Sequence, residues 1–154
     1  MDFTLVFDNA TGLMDLALTP AGDFAAEAGL RTAVLLSLCC DATARVDDAI
    51  PDATTDRRGW WADFTTQAGA LRDETGSRLW LLNREVITPD VLDRAQHYAA
   101  DALAWMVADG VAESVAVQAT EVQRGVIGLG VLLNRGTARE SRFDVLWQQE
   151  GLSA

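Results

Sequence analysis

Apolar and polar positions change their period several times along the 154 residues. Phe3, Leu5 and Phe7 alternate with Thr4 and Val6, a period of two that predicts a strand. Asn9-Ala10-Thr11-Gly12 reads as a turn. Leu13 to Leu18 alternates again and predicts a second strand with one richer apolar face. Pro20-Ala21-Gly22-Asp23 turns the chain, and Phe24 to Ala28 is a third short strand or a lead-in. From Gly29 to Cys40 the period becomes helical. Leu30, Ala33, Val34 and Ser37 share a stripe that Leu35, Leu36 and Leu38 widen, so this helix is expected to be buried on most sides.

Residues 41–76 are rich in Asp, Thr, Gly and Pro, which predicts loops and short helices. So long a stretch without regular elements is unusual within a domain, and points to a functional segment or one ordered by partners. Gly76 to Leu82 predicts a short helix with Ser77 as its N-cap. Thr88-Pro89-Asp90 then has the features of a helix start: a capping hydroxyl, a proline at the first position and an acid at the positive end of the dipole. Leu92, Ala95, Ala99, Ala102 or Leu103, and Met106 form its apolar stripe, and Asp109-Gly110 ends it. The tail returns to alternation. Val115 and Val117, then Ile127 to Leu133, then Phe143, Val145 and Trp147 predict three strands joined by turns at 123–125 and 134–136. The expected class is α+β: short N-terminal β elements, two main helices and a C-terminal antiparallel meander. One domain is expected, with residues 1–28 as a β extension on a core of 29–154.

Composition agrees with one domain. A 16.6 kDa chain with 49% hydrophobic and 23% charged residues can build a sizeable core. No apolar run reaches the roughly 20 residues of a membrane span. Met1-Asp2-Phe3 opens without a basic or apolar leader, so assembly in a cytoplasm is expected. The formal net charge is −11, which argues against direct binding to nucleic acid or anionic membrane. All 12 basic residues are arginine, the side chain suited to paired and interfacial carboxylates.

Candidate chemistry is sparse. His97 is the single histidine, flanked at helical spacing by Asp93 and Asp101, an arrangement more often a solvated helix face than a metal site. Cys39-Cys40 are adjacent, lack zinc spacing and read as core packing. Glycines 125, 128, 130 and 136 form no nucleotide-binding loop, and no serine sits in a nucleophile elbow. No cofactor, metal or enzyme activity is expected. The carboxylates Asp47, Asp48, Asp52, Asp56, Asp63, Asp73 and Glu74 leave one alternative, a small carboxylate-dependent cell-wall hydrolase. An acidic adaptor is a third reading. The distinctive feature is Asp56-Arg57-Arg58-Gly59-Trp60-Trp61-Ala62-Asp63, followed by Arg78 and Trp80. Arg and Trp dominate interface hot spots. Of Trp60 and Trp61, one is expected to face inward and the other to be shared with a partner.

These residues carry a resemblance. The chain resembles Mu-like bacteriophage contractile-tail baseplate proteins in Asp15-Leu16-Ala17-Leu18, Gly22-Asp23 and Leu30 to Leu38, and in Asp41, Arg45, Asp47-Asp48 and Pro51. The likeness continues through the Arg57-to-Asp63 block, Gly76 to Leu82, Arg84-Glu85, Tyr98 to Trp105 and Gly110-Val111-Ala112. More distantly it is similar to sheath-initiator wedge proteins, although their Glu-Pro-Arg after the long helix is replaced by Met106 to Val111. The resemblance implies a structural protein of the virion tail baseplate, in six copies around the tube. It would bind wedge proteins and the sheath protein, and help start the sheath. Arg57, Arg58, Trp60, Trp61, Arg78 and Trp80 are the expected wedge-facing residues. The sheet with Val145 and Trp147 is the expected sheath-facing one.

Overall fold

A computed structural model describes residues 2–8, 13–27, 30–51, 54–61, 63, 74–136 and 140–148. Four short strands come first: β1 (Asp2–Phe3), β2 (Leu5–Asp8), β3 (Leu13–Leu16) and β4 (Ala26–Glu27). Helix α1 (Arg31–Cys39) follows, then a 3-10 turn (Leu79–Leu82), α2 (Pro89–Leu103) and α3 (Trp105–Ala108). The chain closes with β5 (Ser114–Gln123), β6 (Val126–Asn134) and β7 (Glu140–Gln148). The class is α+β, as the periodicity predicts. The expected turn at 9–12 and residues Asp52, Ala62 and Asp73 lie outside the described residues.

β5, β6 and β7 form an antiparallel sheet in that order, with β6 in the centre. Its register places Val117, Val131 and Phe143 in one row and Ala119, Leu129 and Val145 in the next. Alternation turns these rows to one face, where Ile127, Leu129, Val131 and Leu133 are buried. Against that core pack Val34, Leu35 and Leu38 of α1 and Val91, Ala95, Ala99 and Leu103 of α2. Ala95 and Ala99 have no exposed surface, and their small side chains let α2 lie close to its neighbours. Each fully buried Leu, Ile or Val contributes about 1.5–3 kcal/mol. The core is therefore one layer of helices on one sheet.

Three details differ from the reading of the sequence. The α2 stripe begins at Val91, with Leu92 only half-buried, because Val91 falls on the row of Ala95 and Ala99. The helix is interrupted at Ala104, whose N–H bonds back to Asp101 at 3.2 Å, and α3 then buries Met106 and ends at Gly110 with φ +71°. Ser77 does not cap a regular helix: its hydroxyl accepts from Leu79 N–H at 3.4 Å, one position ahead of a 3-10 turn whose own cap position is Arg78. The Ser77 hydroxyl donates to the Leu38 carbonyl at 2.7 Å, tying the turn to the end of α1. Thr88 does cap α2 by accepting from Val91 N–H at 3.3 Å, with Pro89 at the first helical position.

The polar stretch after α1 is closed at its base. Ser77 N–H donates to Cys40 O at 2.8 Å and Ala42 N–H donates to Ser77 O at 2.9 Å, so both ends of the segment are stitched together. Gly76 enables this approach. It has φ +100°, and a Cβ there would lie 2.4 Å from Cys40 O.

Candidate functional site: an arginine-braced tryptophan pair and an open sheet

The stretch 41–61 is built around two arginines. The Arg57 guanidinium donates to the carbonyls of Ala44 (3.4 Å), Arg45 and Val46 (3.2 Å), and so gathers three successive acceptors of the loop on one side chain. Arg58 adopts φ +50°, an uncommon conformation for a side-chain-bearing residue. Its N–H donates to Asp56 Oδ1 at 2.8 Å, its guanidinium pairs with Asp41 at 2.7 Å, and it lies 4.6 Å above the Trp80 ring. Gly59 follows with φ +108°, tight against Thr43, where a Cβ would meet the hydroxyl oxygen at 2.2 Å.

This bracing sets down Trp60 and Trp61 at the surface. Their rings are tilted together at 5.8 Å, with 41% and 72% of the residues exposed. The expectation that one faces inward is corrected: both are outside, because the turn at Arg58-Gly59 carries the pair away from the core. The inward tryptophan is Trp80. It is buried beside Ala44 and Leu81, and its indole N–H donates to Ala42 O at 2.9 Å. Trp80 thus organises the loop from beneath and presents no surface to a partner.

Arg78 anchors the same region to α2. It donates to both oxygens of Asp48 at 3.3 Å and to Asp101 at 2.8 Å, and stacks 4.5 Å over Tyr98. Burial draws its guanidinium pKa down, but the bonds to Asp101 and Asp48 outweigh this and hold it above the usual value. Arg94 is raised more strongly, first through its bond to Glu85 and further by Asp90. Nothing in the spacing of the sequence signals that Asp41, Asp48 and Asp101 are the counterions. They lie far from their arginines in the chain and meet them only in the folded protein.

The remaining candidates have structural occupations. Asp101 is held by Arg78 and, at 3.5 Å, by Arg45, while His97 Nδ1 lies 2.7 Å from the Asp93 carbonyl within its own helix. Among the described residues no cluster of His, Cys, Asp or Glu is arranged to hold a metal ion. Cys39 and Cys40 are free thiols. Burial pushes Cys39 up to about 11, with the neighbouring Cys40 adding to it. Burial also raises Cys40, aided by the charges of Asp41 and Asp63. Both are therefore poor nucleophiles near neutral pH.

In the sheet, Val145 is buried and Trp147 packs half-buried against the core, opposite Ile127. Their side chains serve the interior. For pairing with another strand, the sheet among the described residues offers the main chain of its two edges, β5 and β7. The alternation of Phe143, Val145 and Trp147 with Asp144 and Leu146 is the signal in the sequence for this inward face.

Comparison with known proteins fits this architecture to a family. The sequence profile described as Phage protein GP46 matches residues 30–140. The chain belongs to that family. It is 38% identical over 133 residues to the baseplate protein gp46 of Escherichia phage Mu, covering 86% of each chain. It is 36% identical over 148 residues to the Mu-like prophage FluMu protein gp46 of Haemophilus influenzae, covering 95% of this chain and 97% of that one. The GP46 match runs from α1 to the first residue of β7 and contains the whole arginine–tryptophan loop. Strands β1–β4 lie outside it.

Proposed function

We propose that this chain is a structural component of a contractile phage tail baseplate, joining wedge proteins to the first sheath ring and helping to start sheath assembly. The observation that carries the reading is the 38% identity, over most of both chains, to a protein named as a baseplate component of phage Mu. The geometry is suited to the finer role. Trp60 and Trp61, on the loop braced by Arg57 and Arg58, are adjacent and exposed aromatic side chains, the kind that anchor protein interfaces. An edge strand such as β7 can accept a strand from another chain through main-chain hydrogen bonds. Wedge proteins are then the partners of the tryptophan loop, and the sheath protein the partner of the sheet edge. Six copies would surround the tube, with assembly in the host cytoplasm.

The work of such a protein is positioning, and no reaction is assigned to it. The cell-wall hydrolase alternative gains no support. Asp48 and Asp101 are held by Arg78, while Asp56 and Asp63 accept main-chain N–H groups from Arg58 and Thr75.

A proline at an outward-directed amide of β7 tests the sheath role. The variant is expected to melt within a few degrees of the parent and enter baseplates, while electron micrographs show tubes lacking sheath. Normal sheathed tails from that variant would refute β7 as the sheath-binding edge.

A further inference from the structure

The strand layer before α1 is apolar where it meets solvent. β2 and β3 pair antiparallel, with Leu5 opposite Leu16 and Val6 opposite Asp15. Leu5 and Met14 turn inward and pack on the core. The other face carries Val6, Leu13 and Asp15, and Leu13 is 67% exposed. A second apolar spot lies beside it. Phe3 and Phe24 touch with ring centres 5.3 Å apart, and Leu18 bridges to Phe24. These three are 54–62% exposed.

Main-chain hydrogen bonds hold the described strands of this layer together. Thr4 N–H donates to Ala25 O at 2.8 Å, Ala17 N–H to Thr4 O at 2.9 Å, and Ala25 N–H to Ala17 O at 2.8 Å. The Thr32 hydroxyl of α1 donates to Phe3 O at 3.0 Å and accepts from Leu5 N–H at 3.3 Å, clamping the layer to the helix. Its charges are of one sign. Asp15 and Asp23 are exposed acids, and no basic side chain precedes Arg31 in the sequence.

We propose that the β1–β4 layer is a second docking surface, filled by a baseplate protein whose contact patch is apolar and rimmed by arginine or lysine. This rests on the baseplate reading above. Apolar surface drives the contact, and the acids select a basic rim and speed encounter. A second copy of this chain is a poorer occupant, because each copy carries a formal net charge of −11 and two acidic surfaces repel. An anionic lipid surface would repel the layer.

The test adds purified full-length chain to baseplate complexes isolated from particles produced without this gene. Incorporation is read by sedimentation at about 50 mM and about 500 mM salt, conditions that separate weakly from strongly screened charges. One variant is Leu13→Ser/Leu18→Ser/Phe24→Ser, which spares Leu5 and Met14. The other is Asp15→Arg/Asp23→Arg, changing only exposed positions. Wild type is expected to incorporate, more weakly at high salt. The apolar variant should be weakened about tenfold or more at unchanged melting temperature, and the charge variant should be weakened with a flatter salt response. Incorporation of both variants at the wild-type level would overturn the docking surface while leaving the baseplate reading intact. So would wild-type self-association, or binding to anionic vesicles, that the same substitutions abolish. Failure of the wild type itself to incorporate would overturn both.

Discussion

Arg78 joins three separate parts of the chain: its own 3-10 turn, Asp48 in the long loop and Asp101 on α2. The Arg78 and Asp48 side chains are only 11% and 12% exposed, so removing the guanidinium leaves a carboxylate with little access to water, without its counterion and with the Arg45 N–H at 2.7 Å as its remaining donor among the described residues. Arg78→Ala is expected to cost about 3 kcal/mol in chemical denaturation, with Arg78→Lys recovering part of it. A loss within 0.5 kcal/mol (about the scatter of ordinary surface changes) would contradict this. The thiol of Cys39 makes a second prediction. Its ordinary value of 9.0 is pushed up to about 11 in the fold, so the folded chain holds that proton more tightly than the unfolded one. Its contribution is intact below pH 9 and is lost as the pH rises toward 11. The melting temperature should fall more steeply across that window in the parent than in Cys39→Ala. Equal slopes would contradict the burial of the thiol. Neither Arg78's partners nor the surface positions of Trp60 and Trp61 were legible in the sequence. Both depend on where the loop folds back, and that is fixed by contacts between residues far apart in the chain.

At the scale of elements, periodicity identified most of the structure. The three C-terminal strands alternate cleanly because only one face is buried, and α2 has a cap, a proline and a small-residue stripe that agree with one another. The break at Ala104 was invisible, since Ala and Trp around it are compatible with a continuous helix. The long loop carried no periodic signal, and what braces its described part is a set of arginine contacts to carbonyls and distant acids. Composition did mark it as an interaction segment, and the exposed tryptophan pair gives that expectation a definite surface. Trp60→Ala/Trp61→Ala is expected to keep the parent's melting temperature within a few degrees, because neither ring supports the core. The same variant should weaken assembly with wedge proteins by about tenfold or more in pull-downs of co-produced baseplate proteins. Undiminished assembly would remove the pair from the interface. Arg58 is left intact in this test because it also braces the loop through Asp41 and Trp80.

For the whole molecule, class and family were legible because they are spread over many positions. Alternation, helix signals and the Arg-Trp blocks each agree with α+β and with the GP46 family, whose profile covers residues 30–140. The docking role of the N-terminal layer was not legible. Alternation identified its strands but not which face the core would leave open. A chain with a net charge of −11, exposed aromatics and sheet edges that are unpaired among the described residues is suited to binding protein surfaces. The most direct measurement is electron microscopy of particles produced with this gene deleted, beside the same deletion complemented with the intact gene. A baseplate component predicts incomplete baseplates or bare tubes in the deletion, and sheathed tails on complementation. Normal sheathed tails in the deletion, with or without a defect in cell entry, would contradict it.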